Sequence, residues 1–254
     1  MMTSRGQDRL SATMHAVQSL SVVMPAYNEI GNIHHAVADV RHFVLTACPD
    51  LELVVVDDGS TDGTGQALDA LASGSAWIKV VHQPNAGHGP ALRHGIQVAQ
   101  GEWLLLLDSD SELNLESFRA LWPLDKPEVA ILGLRTHRRS TLDRRLTTTA
   151  LRLYLMVASG VWTRDPNCPF KLVPRWLALQ ALAPLPQAYP VPSAWIAAYT
   201  VRSRTKVLWT PLECRPRPAG TTSVNKRLVA KFAWAAIKTI PRLRQSLANP
   251  VNAE

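Results

Sequence analysis

Three carboxylates at alternate positions, Asp108, Asp110 and Glu112, follow directly on the apolar run Trp103-Leu-Leu-Leu-Leu107. The run reads as a fully buried strand. An extended backbone continuing past it would set all three acids on one side. Carboxylates that close disturb one another's ionisation unless a positive charge lies among them. An all-oxygen cluster at a strand end suits a hard divalent cation, Mg2+ or Mn2+. The competing reading is a solvated acidic turn, and an isolated Asp-x-Asp does not choose between the two.

The elements that must position these acids come as alternating strands and helices. Strands are expected at Ser21 to Pro25, Leu51 to Val56, Ile78 to His82 and Trp103 to Leu107, and helices at Ile30 to Ala47, Gly65 to Ala72 and Ala91 to Ala99. Nearly continuous apolar strands alternating with helices predict a parallel sheet covered on both faces. Such sheets bind ligands beyond the carboxyl ends of their strands. The unusual residues fall there: Tyr27, Asn28 and Glu29 after the first strand, Asp57 and Asp58 after the second, Asn85 and Gly87 after the third, and the carboxylates after the fourth.

From Val129 the pattern changes. A buried strand, Val129 to Leu134, ends at Arg135 and leads into a basic segment with Arg138, Arg139, Arg144 and Arg145. Leu146 to Trp162 reads as a long apolar helix and Asp165-Pro-Asn-Cys-Pro-Phe-Lys171 as a structured loop. Trp176 to Tyr199 reads as two short helices, and Lys206 to Leu212 as the last strand. A rigid basic loop, Arg215 to Ser223, precedes an amphipathic helix from Val224 to Leu247, which Pro241 is expected to kink or end.

The chain has 254 residues, 46% of them hydrophobic and 19% charged, with a formal net charge of +7. That is enough chain for a full core. The positive balance fits an anionic partner, whether nucleic acid, acidic lipid or a phosphorylated substrate. The basic segments carry no interleaved aromatics of the kind that stack on bases, which argues against nucleic acid. Cys48, Cys168 and Cys214 stand in no metal or redox spacing and read as reduced thiols. His34, His35, His88 and His94 read as solvated or structural histidines. Residues 1–18 read as a loose leader without the apolar core of a signal peptide. The best candidate for a spanning helix, Leu146 to Trp162, is interrupted by Arg152, so work at a membrane is expected from its surface.

Four motifs, in order, carry a resemblance: Ser21-Val-Val-Met-Pro-Ala-Tyr-Asn-Glu29, Val55-Val-Asp-Asp-Gly-Ser-Thr-Asp-Gly-Thr64, Asn85-Ala-Gly-His-Gly-Pro-Ala91 and Leu107-Asp-Ser-Asp110. With them the sequence resembles the family 2 glycosyltransferases of GT-A fold. The resemblance implies a Rossmann-like, mostly parallel sheet flanked by helices, with the amphipathic helix at the C-terminal end. It also implies one catalytic domain over 19–223, divided into a nucleotide-binding half (19–112) and an acceptor half (113–223), followed by the helix and tail (224–254). Pro25, Tyr27, Glu29, Asp57, Asp58, Asn85 and Gly87 would line the nucleotide pocket. Asp108 and Asp110, with Glu112 as a third ligand, would hold Mg2+ or Mn2+ on the donor diphosphate.

The second half is similar to the polyprenyl-phosphate hexosyltransferases, the branch of dolichyl-phosphate mannose and glucose synthases. Arg135, the loop Asp165 to Lys171 and Arg217-Pro-Ala-Gly-Thr-Thr222 match that branch, with Pro169 in place of a usual glycine and Thr222 in place of a usual serine. The implied activity is metal-dependent, inverting transfer of a hexose from a GDP- or UDP-linked donor to a polyprenyl phosphate, at the inner face of the cell membrane. A phosphate acceptor is ionised near neutral pH and needs no general base; it needs cations to approach an anionic donor. Arg135, one of Arg144 and Arg145, Lys171 and Arg217 are the candidates, with Asp165 orienting Lys171 or its loop. Two rivals remain: transfer to a glycan or metabolite hydroxyl, with Asp165 as base, and a basic membrane- or nucleic-acid-binding protein on a degenerate transferase scaffold.

Overall fold

The computed structural model describes residues 19–122, 129–136, 142–203, 205–215 and 226–248. The chain runs β1 (Leu20–Ala26), α1 (Ile33–Asp39), β2 (Leu51–Asp57), α2 (Thr64–Ser73), β3 (Ile78–His82), α3 (His88–Val98), β4 (Trp103–Leu106), α4 (Phe118–Leu121), β5 (Val129–Thr136), α5 (Leu142–Ser159), β6 (Lys171–Pro174), α6 (Arg175–Leu182), α7 (Pro192–Arg202), β7 (Lys206–Glu213) and α8 (Lys226–Ala248). After α1 the helix widens into a π-helical segment, Val40–Leu45.

The central strands are apolar along most of their length because both of their faces are covered. Val22, Met24, Leu53, Val55 and Leu105 pack with α1, α2 and α4, while Val23, Val54, Val56, Leu104 and Leu106 pack with the helices of the opposite layer. The seven strands are ordered β3-β2-β1-β4-β6-β5-β7. β1 lies between β2 and β4, all parallel, and α1 and α3 cover opposite faces of the sheet. Chain direction therefore diverges at the carboxyl ends of β1 and β4, which opens a crevice there.

One strand departs from the expected parallel sheet. β6 runs antiparallel to both β4 and β5. Its four residues, Lys-Leu-Val-Pro, are too few to show a period, and the sequence alone leaves them at the end of a loop. The strand sets Lys171 opposite Leu106 and Leu132, at the crevice end of the sheet.

The helix does not end at Pro241: α8 continues through it. Packing on both sides offsets the lost backbone bond: Thr239 is buried and bonded to the Tyr154 hydroxyl at 3.0 Å, and Leu243 is fully buried. No helix among the described residues is long and apolar enough to cross a membrane.

α3 must start close against the segment that enters α7. A Cβ on Gly89 would stand 2.2 Å from the carbonyl oxygen of Tyr189 and 2.8 Å from that of Pro190. Gly89→Ala is expected to lower stability by about 1–3 kcal/mol, read as an earlier midpoint in urea denaturation. An unchanged midpoint would mean that the segment yields freely.

Candidate active site

The first two loops are tied together by side-chain caps. Asn28 takes φ 53°, a left-handed conformation that asparagine tolerates. Its backbone N–H donates to Ser60 Oγ (3.0 Å), that of Glu29 to Thr64 Oγ1 (2.9 Å) and that of Ile30 to Asp62 Oδ2 (3.1 Å). Asn28 Oδ1 in turn accepts the N–H of Thr61 at 2.8 Å. Ser60, Asp62 and Thr64 thus shape the site without facing it. Their signal in the sequence was the run of turn-forming Ser, Thr, Asp and Gly.

The two aspartates ending β2 part company. Asp58 accepts the N–H groups of Ala86 (2.9 Å) and Gly87 (2.8 Å) and the amide of Gln83 (2.7 Å), so it pins the third loop. Asp57 sits behind the site. It accepts Ser60 N–H at 3.1 Å and bonds His82 Nδ1 at 3.0 Å, while His82 Nε2 reaches Asp69 at 2.9 Å. The expectation that Asp57 lines the pocket is corrected: the next residue, Asp58, turns toward the cleft. Burial opposes ionisation of Asp57, but hydrogen bonds from Ser60 and His82 hold it below the usual carboxylate range.

Pro25, Tyr27, Glu29, Asp58, Asn85, Gly87, His88, Asp108 and Asp110 line one open cleft of about 310 Å3, within the range of small-ligand sites. Every expected pocket residue other than Asp57 is among them.

The carboxylate cluster is not the strand-like row that alternation suggests. β4 ends at Leu106, the chain turns at Ser109 and Asp110, and Ser111 takes φ 53°. Asp108 and Asp110 still meet on the cleft, but Glu112 does not line it. Among the described residues, no three His, Cys, Asp or Glu side chains converge to enclose a cation. The third-ligand role expected of Glu112 is therefore absent from this geometry. Two carboxylates fit a divalent cation whose remaining ligands are diphosphate oxygens and water, the usual provision for Mg2+.

His88, read from sequence as solvated or structural, bonds Asp108 Oδ1 through Nε2 at 3.2 Å. The crowded cleft disfavours its charge, yet the hydrogen bond to Asp108 and that carboxylate's charge raise its pKa overall. Asp108 responds in kind. Desolvation pushes its carboxyl up, and the His88 hydrogen bond together with the charges of His88, Lys171 and Arg135 holds it below the usual range.

Beyond Asp108 lies the expected acceptor side. Asp165 pairs with Arg135 rather than with Lys171: Arg135 Nε donates to Oδ2 at 2.9 Å and Nη2 to Oδ1 at 2.6 Å, a bidentate fork that is nearly buried. Lys171 is 1% exposed. It donates to the Cys168 carbonyl and, at 2.8 Å, to Ser193 Oγ at the start of α7. Burial pushes its pKa down to about 8. Pro169 fits the loop without strain on hydrogen bonding, because the closing bonds come from the Cys168 N–H to Asp165 O and from Lys171. Arg138, Arg139, Arg217 and Thr222, and the side chains of Arg144 and Arg145, lie outside the described residues.

Comparison with known proteins follows the same outline. The family described as Glycosyl transferase family 2 matches residues 21–177. The chain is 37% identical over 92 residues to the glycosyltransferase GlyG of Streptococcus pneumoniae, covering 36% of this chain and 30% of that protein. It is 27% identical over 172 residues to the undecaprenyl-phosphate 4-deoxy-4-formamido-L-arabinose transferase of Pseudomonas aeruginosa, covering 66% of this chain and 51% of the relative. The chain thus spans about half the length, or less, of these curated relatives. Among solved structures, glucosyl-3-phosphoglycerate synthase of Mycobacterium tuberculosis superimposes with TM-score 0.62 at 21% identity, over 90% of this chain and 81% of that one. The same enzyme in complex with Mn2+, UDP and glucosyl-3-phosphoglycerate gives 0.61 at 22%, over 90% and 80%. These structures share the GT-A fold.

Proposed function

As the chain belongs to glycosyl transferase family 2, we propose that it transfers one hexose, with inversion, from a nucleotide-linked donor to a polyprenyl phosphate. The observation that carries the acceptor class is the state of Asp165. A hydroxyl acceptor needs a base able to take its proton, and Asp165, the carboxylate of the acceptor loop, is locked on Arg135. Burial raises its pKa, but the hydrogen bonds and charge of Arg135 outweigh burial and hold it below the usual range. A group so arranged is a poor base. An acceptor phosphate is already ionised, and for it the pair is a ready means of orienting a guanidinium fork. The Pseudomonas aeruginosa relative, an undecaprenyl-phosphate 4-deoxy-4-formamido-L-arabinose transferase, supports the same class.

On the donor side, Tyr27 and Glu29 face the cleft where the nucleoside would lie, and Asp58 holds the N–H groups of Ala86 and Gly87 in place. Asp108 and Asp110 would hold a divalent cation, which when bound neutralises charge on the departing diphosphate. Lys171, beneath the junction of the two sides, adds positive charge near Asp108. Nucleotide-linked donors would set the reaction at the cytoplasmic leaflet.

The test is a panel of labelled UDP- and GDP-sugars with undecaprenyl phosphate and Mn2+. Label should enter an organic-soluble product labile to mild acid. Absence of that product with every donor, or label found on an added hydroxyl acceptor instead, would overturn the acceptor class.

A further inference from the structure

We infer that the joint outer face of α5 and α8 docks on an anionic lipid surface; the inference rests on the lipid-phosphate reading of the acceptor. Among the described side chains of α5 the exposed ones are Thr147, Thr149, Ala150, Leu153, Met156 and Val157, none of them charged, and Leu153, Met156 and Val157 form an apolar stripe at helical spacing. Leu153 is 48% exposed, Met156 39% and Val157 44%; Trp162, just past the helix, is 51% exposed and Ile237 on α8 is 52%. Exposed apolar residues are ordinary when scattered, whereas a contiguous set marks an interaction surface. Leu153, Met156 and Val157 share one helical face, and α8 is fastened alongside it: Arg244 Nε donates to Val157 O at 2.9 Å, and Tyr154 bonds Thr239.

The chemistry of the rim selects the partner. Lys238 and Arg244 are exposed on α8, and the Arg152 guanidinium lies 6.0 Å from the centre of the Trp162 ring. Apolar side chains ringed by cations and an edge tryptophan match an interfacial helix on an anionic leaflet. The place of this face also suits a lipid-borne substrate: α5 runs through Ser159 into the loop that ends in Asp165, and Asp165 grips Arg135. An isoprenoid anchored under this face would present its phosphate on the acceptor side of Asp108.

The experiment is flotation of the full chain with vesicles rich in phosphatidylglycerol, against vesicles of phosphatidylcholine alone. Binding is expected to the anionic vesicles, weakened by salt. The double variant Leu153→Ser, Val157→Ser should bind at least about tenfold more weakly, with an unchanged thermal midpoint. Trp176→Ser, which removes an equally exposed tryptophan on α6, should bind as the parent does. Failure of the parent to float, or equal flotation of the double variant, overturns the inference. So does a parent that is dimeric without binding vesicles and becomes monomeric in the double variant, since the face would then be a contact between copies. Transfer to a short-chain, water-soluble prenyl phosphate without vesicles separates the two readings. Product there with no flotation removes the docking face alone, and flotation with no product from any prenyl phosphate removes the acceptor reading alone.

Discussion

Asp110→Ala is expected to lower kcat/KM for sugar transfer by at least about a thousand-fold, the equivalent of several kcal/mol of lost charge stabilisation at the leaving group. Asp110 is 8% exposed and lines the cleft beside Asp108. With two protein carboxylates as the expected provision for the cation, losing one leaves a single anionic ligand. Chelation with EDTA should reproduce the loss in the parent protein, and added Mn2+ should restore the parent but not the variant. Calorimetry should show the same split, with Mn2+-dependent binding of UDP or GDP kept by the parent and lost by Asp110→Ala. Retention of full activity by the variant would remove Asp110 from the metal site. Glu112 supplies the contrast. It stands off the cleft, and Glu112→Ala is expected to change kcat/KM by no more than about threefold, as for a surface substitution.

Asp165→Ala is expected to destabilise the protein by about 3–5 kcal/mol near neutral pH, because it strands the Arg135 guanidinium in a nearly buried position. The side chains of Arg135 and Asp165 are 11% and 13% exposed, and both bonds of the fork are short and direct. The pH dependence follows from the direction of the shift. The folded-state pKa of Asp165 is depressed by Arg135 against the opposing effect of burial. Its contribution is therefore complete above the unfolded carboxylate pKa of about 4 and is lost as pH falls through the lower folded value. Denaturation midpoints of parent and variant should stand well apart at pH 7 and draw together in acid. A gap that persists unchanged in acid would assign the stability to packing and not to the ion pair. Arg135→Lys is not a conservative substitute, since an ammonium cannot make the two parallel bonds. It should lose much of the same stability and raise the KM for the phosphate acceptor.

The readable part of this protein was its repeating half. Strand and helix alternation from Leu20 to Leu106 is set by local apolar patterns that the tertiary structure preserves, down to β3 at Ile78–His82. The polar residues that end those strands were legible for the same reason. A buried strand ends where the polar residues begin, so its final side chains fall at the rim of the sheet. Asp108, Asp110, Glu29, Asn85 and Gly87 were found in that way, as was Asp58.

What remained illegible depends on contacts between segments distant in sequence. β6 is a strand because β4 and β5 leave a gap that four residues can fill, and no period in Lys171–Pro174 announces it. α8 runs through Pro241 because Tyr154 and the core hold both sides of the proline. Which of two adjacent aspartates faces the cleft was decided by His82 and Gly87, each more than twenty residues away along the chain.

The sequence by itself determined the four parallel strands β1 to β4, the order of the strand-end motifs and the carboxylates on the donor side, because burial and periodicity are local properties of a strand. Only the tertiary structure decided the pairing of charges: Arg135 with Asp165, His88 with Asp108, and Lys171 buried against Cys168 and Ser193. Ion pairing depends on distance in space and on access to water, and neither is written in the spacing of residues along a chain.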